Sequence, residues 1–563
     1  MGMRAVVPAL LLAVIGACGK DPAPRNVLLV TIDTLRTDAV GAGTPALAAF
    51  LQRATHFPRT RAPAPLTLPA HTTIFTGLLP ARHGIHDNAT APLAPPEERG
   101  FPLLAEQLRA AGYRTAAFAA SAVLAPRLGI ASGFETYDCP ETEEECGEAG
   151  YIPAEERIEA PLAWIGSAPK GKPWFVWVHL FDPHIPYRPY GGDAVRAASS
   201  AGDSLRALYA GEVRRADAAF EKLLAAVDDD TIVILASDHG ESLMEHEEHT
   251  HGWLCYGATI DVVLAVRAPG FKRGTVDRGL RSLADLAPTL RRLCALPASP
   301  ADGLDLGGPA HETIVSEALL SWNVHGWAQC FGVTDGDHSL VESGPRLELY
   351  DRRVDPAETR PLDLAHPAYE KLDRALERHR GGVMATAAGE LLPSISGYGG
   401  LRHREGRYLP RSENANLLDP RAHANIWVAL DTMPLRIRMG VDGRDPAVLK
   451  DTLQLLDDLE RQAPGGSPML DHYRAGVCAG LAVVTGVKSW LDAALAAELK
   501  AIERGYVQPD TIRPAIDYCV EMGSAQGLEA IARHARHHGV ELDPETRRVF
   551  DEAASRLGLG KPR

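Results

Sequence analysis

Two runs of apolar residues, each closed by a carboxylate, limit what this chain can fold into. The first is Asn26-Val-Leu-Leu-Val-Thr-Ile-Asp33, and the second is Thr231-Ile-Val-Ile-Leu-Ala-Ser-Asp238-His239-Gly240. A strand with one wet face alternates polar and apolar residues. These runs do not, so both of their faces must be covered, as in the parallel strands of α/β proteins. Ligands of such sheets collect beyond the carboxyl ends of the strands. Strands ending at Asp33 and at Asp238-His239 therefore bring two carboxylates and an imidazole to one sheet edge, a mixed oxygen and nitrogen donor set for a divalent ion. Read singly, Asp33 is equally a turn or helix-cap residue.

The surrounding pattern extends this reading. Apolar spacing predicts helices over 44–57, 101–111 and 204–227. Segments 113–120, 174–180, 231–236 and 262–266 read as strands. The alternation predicts an α/β fold with a doubly wound, mostly parallel sheet, its catalytic domain spanning 26–365 and including a small sheet subdomain from about 310. Residues 366–412, with Tyr398-Gly-Gly400, read as a connector. Residues 413–563 read as an all-α domain. Its helical segments at 445–461, 468–485, 488–502, 510–522 and 525–538 suggest a repeat-like stack without a repeat signature.

At 563 residues the chain exceeds one ordinary domain, and its 45% apolar and 23% charged residues are those of a globular protein. A formal charge of −15 argues against nucleic acid as a partner, because a phosphate backbone calls for a basic surface. No stretch reaches the roughly 18 apolar residues of a membrane span. Arg4, the apolar run from Ala5 to Ala17, and Cys18 form an export signal. Its Ile15-Gly16-Ala17-Cys18 ending resembles a bacterial lipobox. Residues 1–18 are expected to be a lipoprotein signal peptide, with Cys18 lipidated, residues 19–25 a tether, and the protein anchored by lipid in a bacterial cell envelope. A cleaved, soluble export signal is the alternative. Cys139 and Cys146 flank an acidic loop that they could close as a disulfide, or each is a free thiol.

Between the two strand ends lies Pro65-Leu-Thr67-Leu-Pro69-Ala-His71, continuing to Thr76-Gly77, a turn with a hydroxyl that opens a helix. The order Asp33, Thr67-x-Pro69-x-His71, Thr76-Gly77, His83-Gly84, Phe181-Asp182-Pro183-His184 and Asp238-His239-Gly240 resembles the sulfatase-like branch of the alkaline phosphatase superfamily, over roughly residues 26 to 365. Residues 282–289 and Glu348-Leu-Tyr-Asp351 resemble later segments of that family. Formylglycine sulfatases carry Cys or Ser followed by x-Pro-x-Arg. Thr-x-Pro-x-His is instead similar to nucleotide pyrophosphatases/phosphodiesterases, which use an unmodified Thr. Asp33-Thr34 also departs from sulfatases, which often have two consecutive Asp there. The missing carboxylate weakens the case for Ca and leaves Zn or Mn.

The resemblance implies roles for particular residues. Thr67 becomes the nucleophile and a metal ligand, its alcohol activated by coordination. On its own it reads as a helix N-cap. His71 orients Thr67 and meets substrate, or lies buried beneath the site. Asn88 donates to a phosphoryl oxygen, or is a turn residue after His86-Asp87. His184 binds substrate or serves the leaving oxygen, His251 is the last active-site cation or ligand, and His179 belongs to the core or a supporting layer. A one-metal reading uses Asp33, Thr67, Asp238 and His239. A two-metal reading adds Asp182 or His184, and His251. Glu241, Glu245, His246, Glu248 and His249 read mostly as a solvated loop.

The function expected from this set is hydrolysis of phosphate or sulfate esters by covalent attack of Thr67. The substrate would be a small-molecule, glycan-linked or lipid-linked anionic ester. The rivals are an envelope phosphotransferase of phosphoethanolamine-transferase type, whose relatives carry membrane spans, and an inactive lipoprotein scaffold whose C-terminal helices bind a protein partner.

Overall fold

The computed structural model describes residues 25–88, 92–142, 145–146, 150–188, 201–382, 384, 407–431, 433–462, 467–504, 506, 509–537, 542 and 544–559. The expectations for Cys18, for the tether up to residue 24 and for much of the connector lie outside the described residues. Among the described residues no helix is long and apolar enough to cross a membrane.

The main sheet has eight strands, in the order Thr275–Val276, Thr55–His56, Leu264–Arg267, Ile232–Ser237, Val27–Ile32, Trp174–Leu180, Arg114–Ala119, Thr136–Asp138. The five strands from Ile232–Ser237 to Thr136–Asp138 are mutually parallel, and Leu264–Arg267 joins antiparallel at one side. Both sequence runs thus become neighbouring central strands, every residue of which is buried.

Their alternate residues feed two separate cores. Val27, Leu29, Ile232 and Ile234 pack with Phe75, Phe175, Trp177 and Leu286 on one face. Leu28, Val30, Ile32, Val233 and Leu235 pack with Phe50, Val213 and Phe220 on the other. Helices Thr67–Thr76 and Leu286–Leu293 cover the first face; Pro45–Arg53 and Ala201–Ala225 cover the second. This is the doubly wound arrangement that the uninterrupted apolar runs require.

The small subdomain is a four-stranded antiparallel sheet, Ile314–Ala318, Cys330–Thr334, His338–Ser343 and Arg346–Asp351. The segment read as connector is not all connector. Helix Ala368–Arg380 buries Leu372, Ala375 and Leu376 against Phe331, Val333, Leu340 and Leu349 of that sheet. Its three apolar anchors sit in a helix of thirteen residues of which eight are charged or histidine, too sparse a stripe to stand out in sequence.

Beyond residue 420, helices pack on their successors and, further along, on the helix after next, as stacked helical hairpins do. This all-α region does not pack wholly by itself. Its first half shares one hydrophobic cluster with Trp253, Leu254, Val324 and Trp327 of the catalytic region, while its last helices form a cluster of their own. The Cys139 thiol donates to Ser121 O at 3.3 Å and the Cys146 thiol to Thr142 O at 3.8 Å, and the two do not pair as a disulfide.

A buried polar hub ties three parts of the chain together. Glu317 accepts from His86 Nδ1 at 2.5 Å, His379 Nε2 at 3.1 Å and the Tyr408 hydroxyl at 2.6 Å. Burial works against its charge, but His86 and His379 outweigh it and hold the carboxyl well below its usual 4.5. A depressed folded value contributes stability above about pH 4.5 that is lost as pH falls toward the folded value. Glu317→Gln is therefore expected to lower stability by about 3 kcal/mol or more at pH 7, with the deficit shrinking below pH 4.5. Denaturant melts of both proteins at pH 7 and pH 4 check this; a deficit independent of pH would contradict it.

Candidate active site

The strand register sets the site. Ile32 pairs with Leu180 on one side and Ser237 on the other, so Asp33, Phe181 and Asp238 leave the sheet at one level. The Asp33 amide still donates to Leu180 O at 2.9 Å, which keeps the chain straight up to the carboxylate. Gly240 follows because nothing larger fits: a Cβ there would lie 2.1 Å from Ala258 O.

Asp33, Thr67, Asp238 and His239 converge. The Thr67 hydroxyl lies 3.2 Å from Asp33 Oδ2 and 3.5 Å from His239 Nε2. His239 Nε2 is 3.6 Å from Asp33 Oδ1 and 3.7 Å from Asp238 Oδ2. His239 Nδ1 donates to Gly240 O, so Nε2 turns its lone pair inward. Asp238 Oδ1 accepts from the Thr34 and His239 amides, and His179 Nε2 donates to Asp33 Oδ2 at 3.2 Å. Two carboxylate oxygens remain without a hydrogen-bond partner, Asp33 Oδ1 and Asp238 Oδ2, both buried and both on the His239 side.

These atoms fit a divalent ion. Burial raises both carboxyls above their usual range, and the Asp33 charge raises Asp238 further. A cation relieves both effects. Donor separations near 3.5 Å suit a four-coordinate ion with bonds of about 2.0–2.2 Å. Three oxygens and one imidazole nitrogen favour Zn or Mn over Ca, which takes six to eight oxygens.

Thr67 is not the helix cap. It is the first residue of helix Thr67–Thr76, whose N-cap is Leu66. Asn88 does the capping: its Oδ1 accepts from the Leu68 amide at 2.9 Å. This leaves Asn88 Nδ2 buried and without a hydrogen-bond partner. A neutral donor beside the positive end of a ten-residue helix suits an anionic group on the substrate.

The substrate contact expected for His71 does not fit its surroundings. Trp177 Nε1 donates to the Thr31 hydroxyl at 2.9 Å, the Thr31 hydroxyl to His71 Nε2 at 3.0 Å, and His71 Nδ1 to Thr67 O at 2.8 Å. Both ring nitrogens are used, and burial pushes the imidazole down to about 3, so it stays neutral. His71 fixes the first turn of helix Thr67–Thr76 from beneath. His71, His179 and Asp238 also cluster, but this chain of donors leaves His71 no lone pair for an ion.

The two-metal reading through Asp182 also fails on geometry. Asp182 Oδ2 accepts from the Ala154 amide at 2.8 Å and Oδ1 faces Arg215 at 3.3 Å, beside Glu212. Its carboxylate therefore anchors the His184 loop to the neighbouring helix. Among the described residues, both convergent donor groups use the same Asp238, which supports a single ion.

His184 and His251 do reach the site. His184 stacks on Phe181 at 4.1 Å and meets the His251 ring edge-on at 4.9 Å, and His251 lies 4.4 Å from the His239 ring. Glu241 was missed in sequence, where its acidic loop reads as solvated. It is fully buried, accepting from His251 Nδ1 and the Tyr187 hydroxyl, each at 3.0 Å. Glu248 is buried too, accepting from the Trp253 and Leu254 amides. Only the Asp238-His239-Gly240 motif just ahead of Glu241 hinted at this. Glu241→Ala is expected to lower turnover about 10-fold to 100-fold, the scale for groups that orient a site residue, with Glu241→Gln milder because it still accepts from His251. Steady-state kinetics of the two variants check this; equal losses would contradict it.

Residues 25–294 match the family model described as Sulfatase. That stretch is similar to the sulfatase family, and the fold is one seen in solved sulfatase and phosphonate monoester hydrolase structures. The chain is 30% identical over 150 residues to an endo-4-O-sulfatase of Bacteroides thetaiotaomicron, covering 22% of this chain and 29% of that protein. It is 32% identical over 99 residues to human arylsulfatase K, covering 17% and 18%. The chain thus spans less than a third of the length of either relative. Among solved structures it resembles a phosphonate monoester hydrolase from Silicibacter pomeroyi, with 22% identity and a TM-score of 0.50, over 64% of this chain and 96% of that one.

Proposed function

We propose that this chain is a metal-dependent hydrolase of anionic esters, with Thr67 as covalent nucleophile and phosphoesters preferred over sulfoesters. The observation that carries the reading is the Thr67 hydroxyl. It points at Asp33 and His239 instead of capping its own helix, beside two unpaired carboxylate oxygens and the unpaired Asn88 amide. Orphaned buried groups are costly, so their clustering around one hydroxyl speaks for a working site and against an inactive scaffold.

Asp33, Asp238, His239 and Thr67 would hold the ion. When bound, it withdraws charge from the Thr67 oxygen and from an oxygen of the ester. Thr67 Oγ attacks phosphorus in line, its proton passing to solvent or a neighbouring imidazole. The bond to the leaving oxygen breaks, and that oxygen takes a proton from His184 or His251. Burial pushes His184 down to about 4, so it is neutral in the free site. An arriving anion favours its protonated form. Asn88 Nδ2 and the helix amides receive the equatorial oxygens. Water then attacks phosphorus, the bond to Thr67 Oγ breaks, and Thr67 regains its proton.

The nucleophile decides between ester classes, since the relatives named above cover both sulfate and phosphonate esters. A formylglycine hydrate can release sulfate by collapsing to its aldehyde. A Thr sulfate has no such exit, because its carbon bears one oxygen. A Thr phosphate can be opened at phosphorus. Purified protein with added metal should therefore cleave an aryl phosphate diester or monoester faster than the matching aryl sulfate. Faster sulfate turnover, with Thr67 unmodified by mass spectrometry, would overturn the preference.

A further inference from the structure

The segment between Glu241 and His251 is a closed loop under tension. Its base is pinned by the Ser242 amide on Thr250 O at 2.7 Å and the Ser242 hydroxyl on Glu248 O at 2.8 Å. Its two feet, Glu241 and His251, hydrogen-bond to each other. At its tip Met244, His246 and Glu247 have φ of 80°, 54° and 62°. Three non-glycine residues in the left-handed region within four positions persist only where the surroundings hold them.

Two sets of contacts do the holding. From the catalytic domain, Arg206 and Arg36 pair with Glu245 at 2.7 and 3.2 Å. From the other side, His246 stacks on Tyr256 at 3.6 Å and its Nε2 donates to Ala357 O at 3.2 Å. Over that stack lies Arg421, at the entry to helix Ala424–Asp431 of the C-terminal region. Its Nε donates to Glu247, and its Nη1 to the Tyr256 hydroxyl at 3.0 Å and Glu348 at 3.3 Å. Arg421 has its own anchorage, because neighbouring Asp419 accepts from Ser343 and Arg346 of the small sheet.

We propose that Arg421 is a positioning residue for His251, through which the C-terminal helical region holds the active-site loop in its strained form. With the clamp gone, the tip can relax toward ordinary backbone, and the closed base passes the change to the two feet. The activity readout rests on the function proposed above; the loop readout does not.

Hydrogen–deuterium exchange of the full-length protein, with kinetics on an aryl phosphodiester, tests this. In Arg421→Ala, exchange of peptides covering 242–251 should rise about 10-fold while other peptides stay unchanged. The kcat should fall about 10-fold with KM within about 2-fold. Arg421→Lys should recover part of both. Glu247→Ala should match Arg421→Ala, and the double variant should add little. Unchanged loop exchange in Arg421→Ala would overturn the proposal. So would uniform acceleration across the chain, which would mark a merely structural role, or a faster loop with unchanged kcat in an active enzyme. If the wild type turns over no ester, the proposed function fails while the exchange data still decide the clamp.

Discussion

Replacing Thr67 by alanine is expected to abolish ester turnover while leaving the fold nearly as stable as before. The hydroxyl caps nothing, since Leu66 is the N-cap and Asn88 already accepts from the Leu68 amide. Its removal forfeits one hydrogen bond to Asp33, worth about 1 kcal/mol, and Asp33 Oδ2 keeps its bond from His179. Catalysis has no such reserve. Without the oxygen no covalent intermediate can form, and the loss should reach at least about 10³-fold, or roughly 4 kcal/mol of transition-state stabilisation. Thr67→Ser should keep much of the activity. Kinetics alongside thermal melting separate the two effects. An alanine variant that melts far below the wild type, or retains a tenth of its turnover, would contradict this role.

The second large effect concerns the ion. Asp33→Ala combined with Asp238→Ala should remove bound metal and all turnover, the affinity falling by well over about 100-fold, since even groups outside the ligand set carry 10- to 100-fold. The stability consequence has an unusual sign. Without a cation, Asp33 and Asp238 are two buried carboxyls, and the Asp33 charge adds to the cost of ionising Asp238. Chelation should therefore lower the melting temperature of the wild type but leave the double variant unmoved, and the double variant should melt above the chelated wild type. Elemental analysis and melting curves with and without chelator check both points. Equal metal in the two proteins would contradict the ligand assignment.

The parts of the fold that apolar periodicity controls were legible in the sequence. The runs ending at Asp33 and Asp238 read as doubly covered strands because they are, and their flush register follows from parallel pairing. Less legible was anything depending on which way a polar side chain turns. Asp182 follows a strand as Asp33 does, yet faces Arg215 and the Ala154 amide. Glu241 and Glu248 sit in a stretch whose composition reads as wet, but their carboxylates are consumed by ring, phenol and backbone donors. His71 and Asn88 each read two ways in the sequence. His71 is spent on Thr67 O and Thr31, while Asn88 divides itself between capping a helix and presenting a free amide. The coupling of the C-terminal helices to the active-site loop rests on single long-range pairs such as Arg421 with Glu247, which no local pattern announces.

The most direct measurement is mass spectrometry of metal-loaded enzyme quenched during turnover of an aryl phosphodiester, followed by peptide mapping. A phosphoryl group on the peptide containing Thr67, absent from Thr67→Ala and from enzyme quenched without substrate, is the expected result. Turnover that continues with Thr67 unmodified, or a phosphoryl group mapped to a different residue, would contradict covalent attack by Thr67.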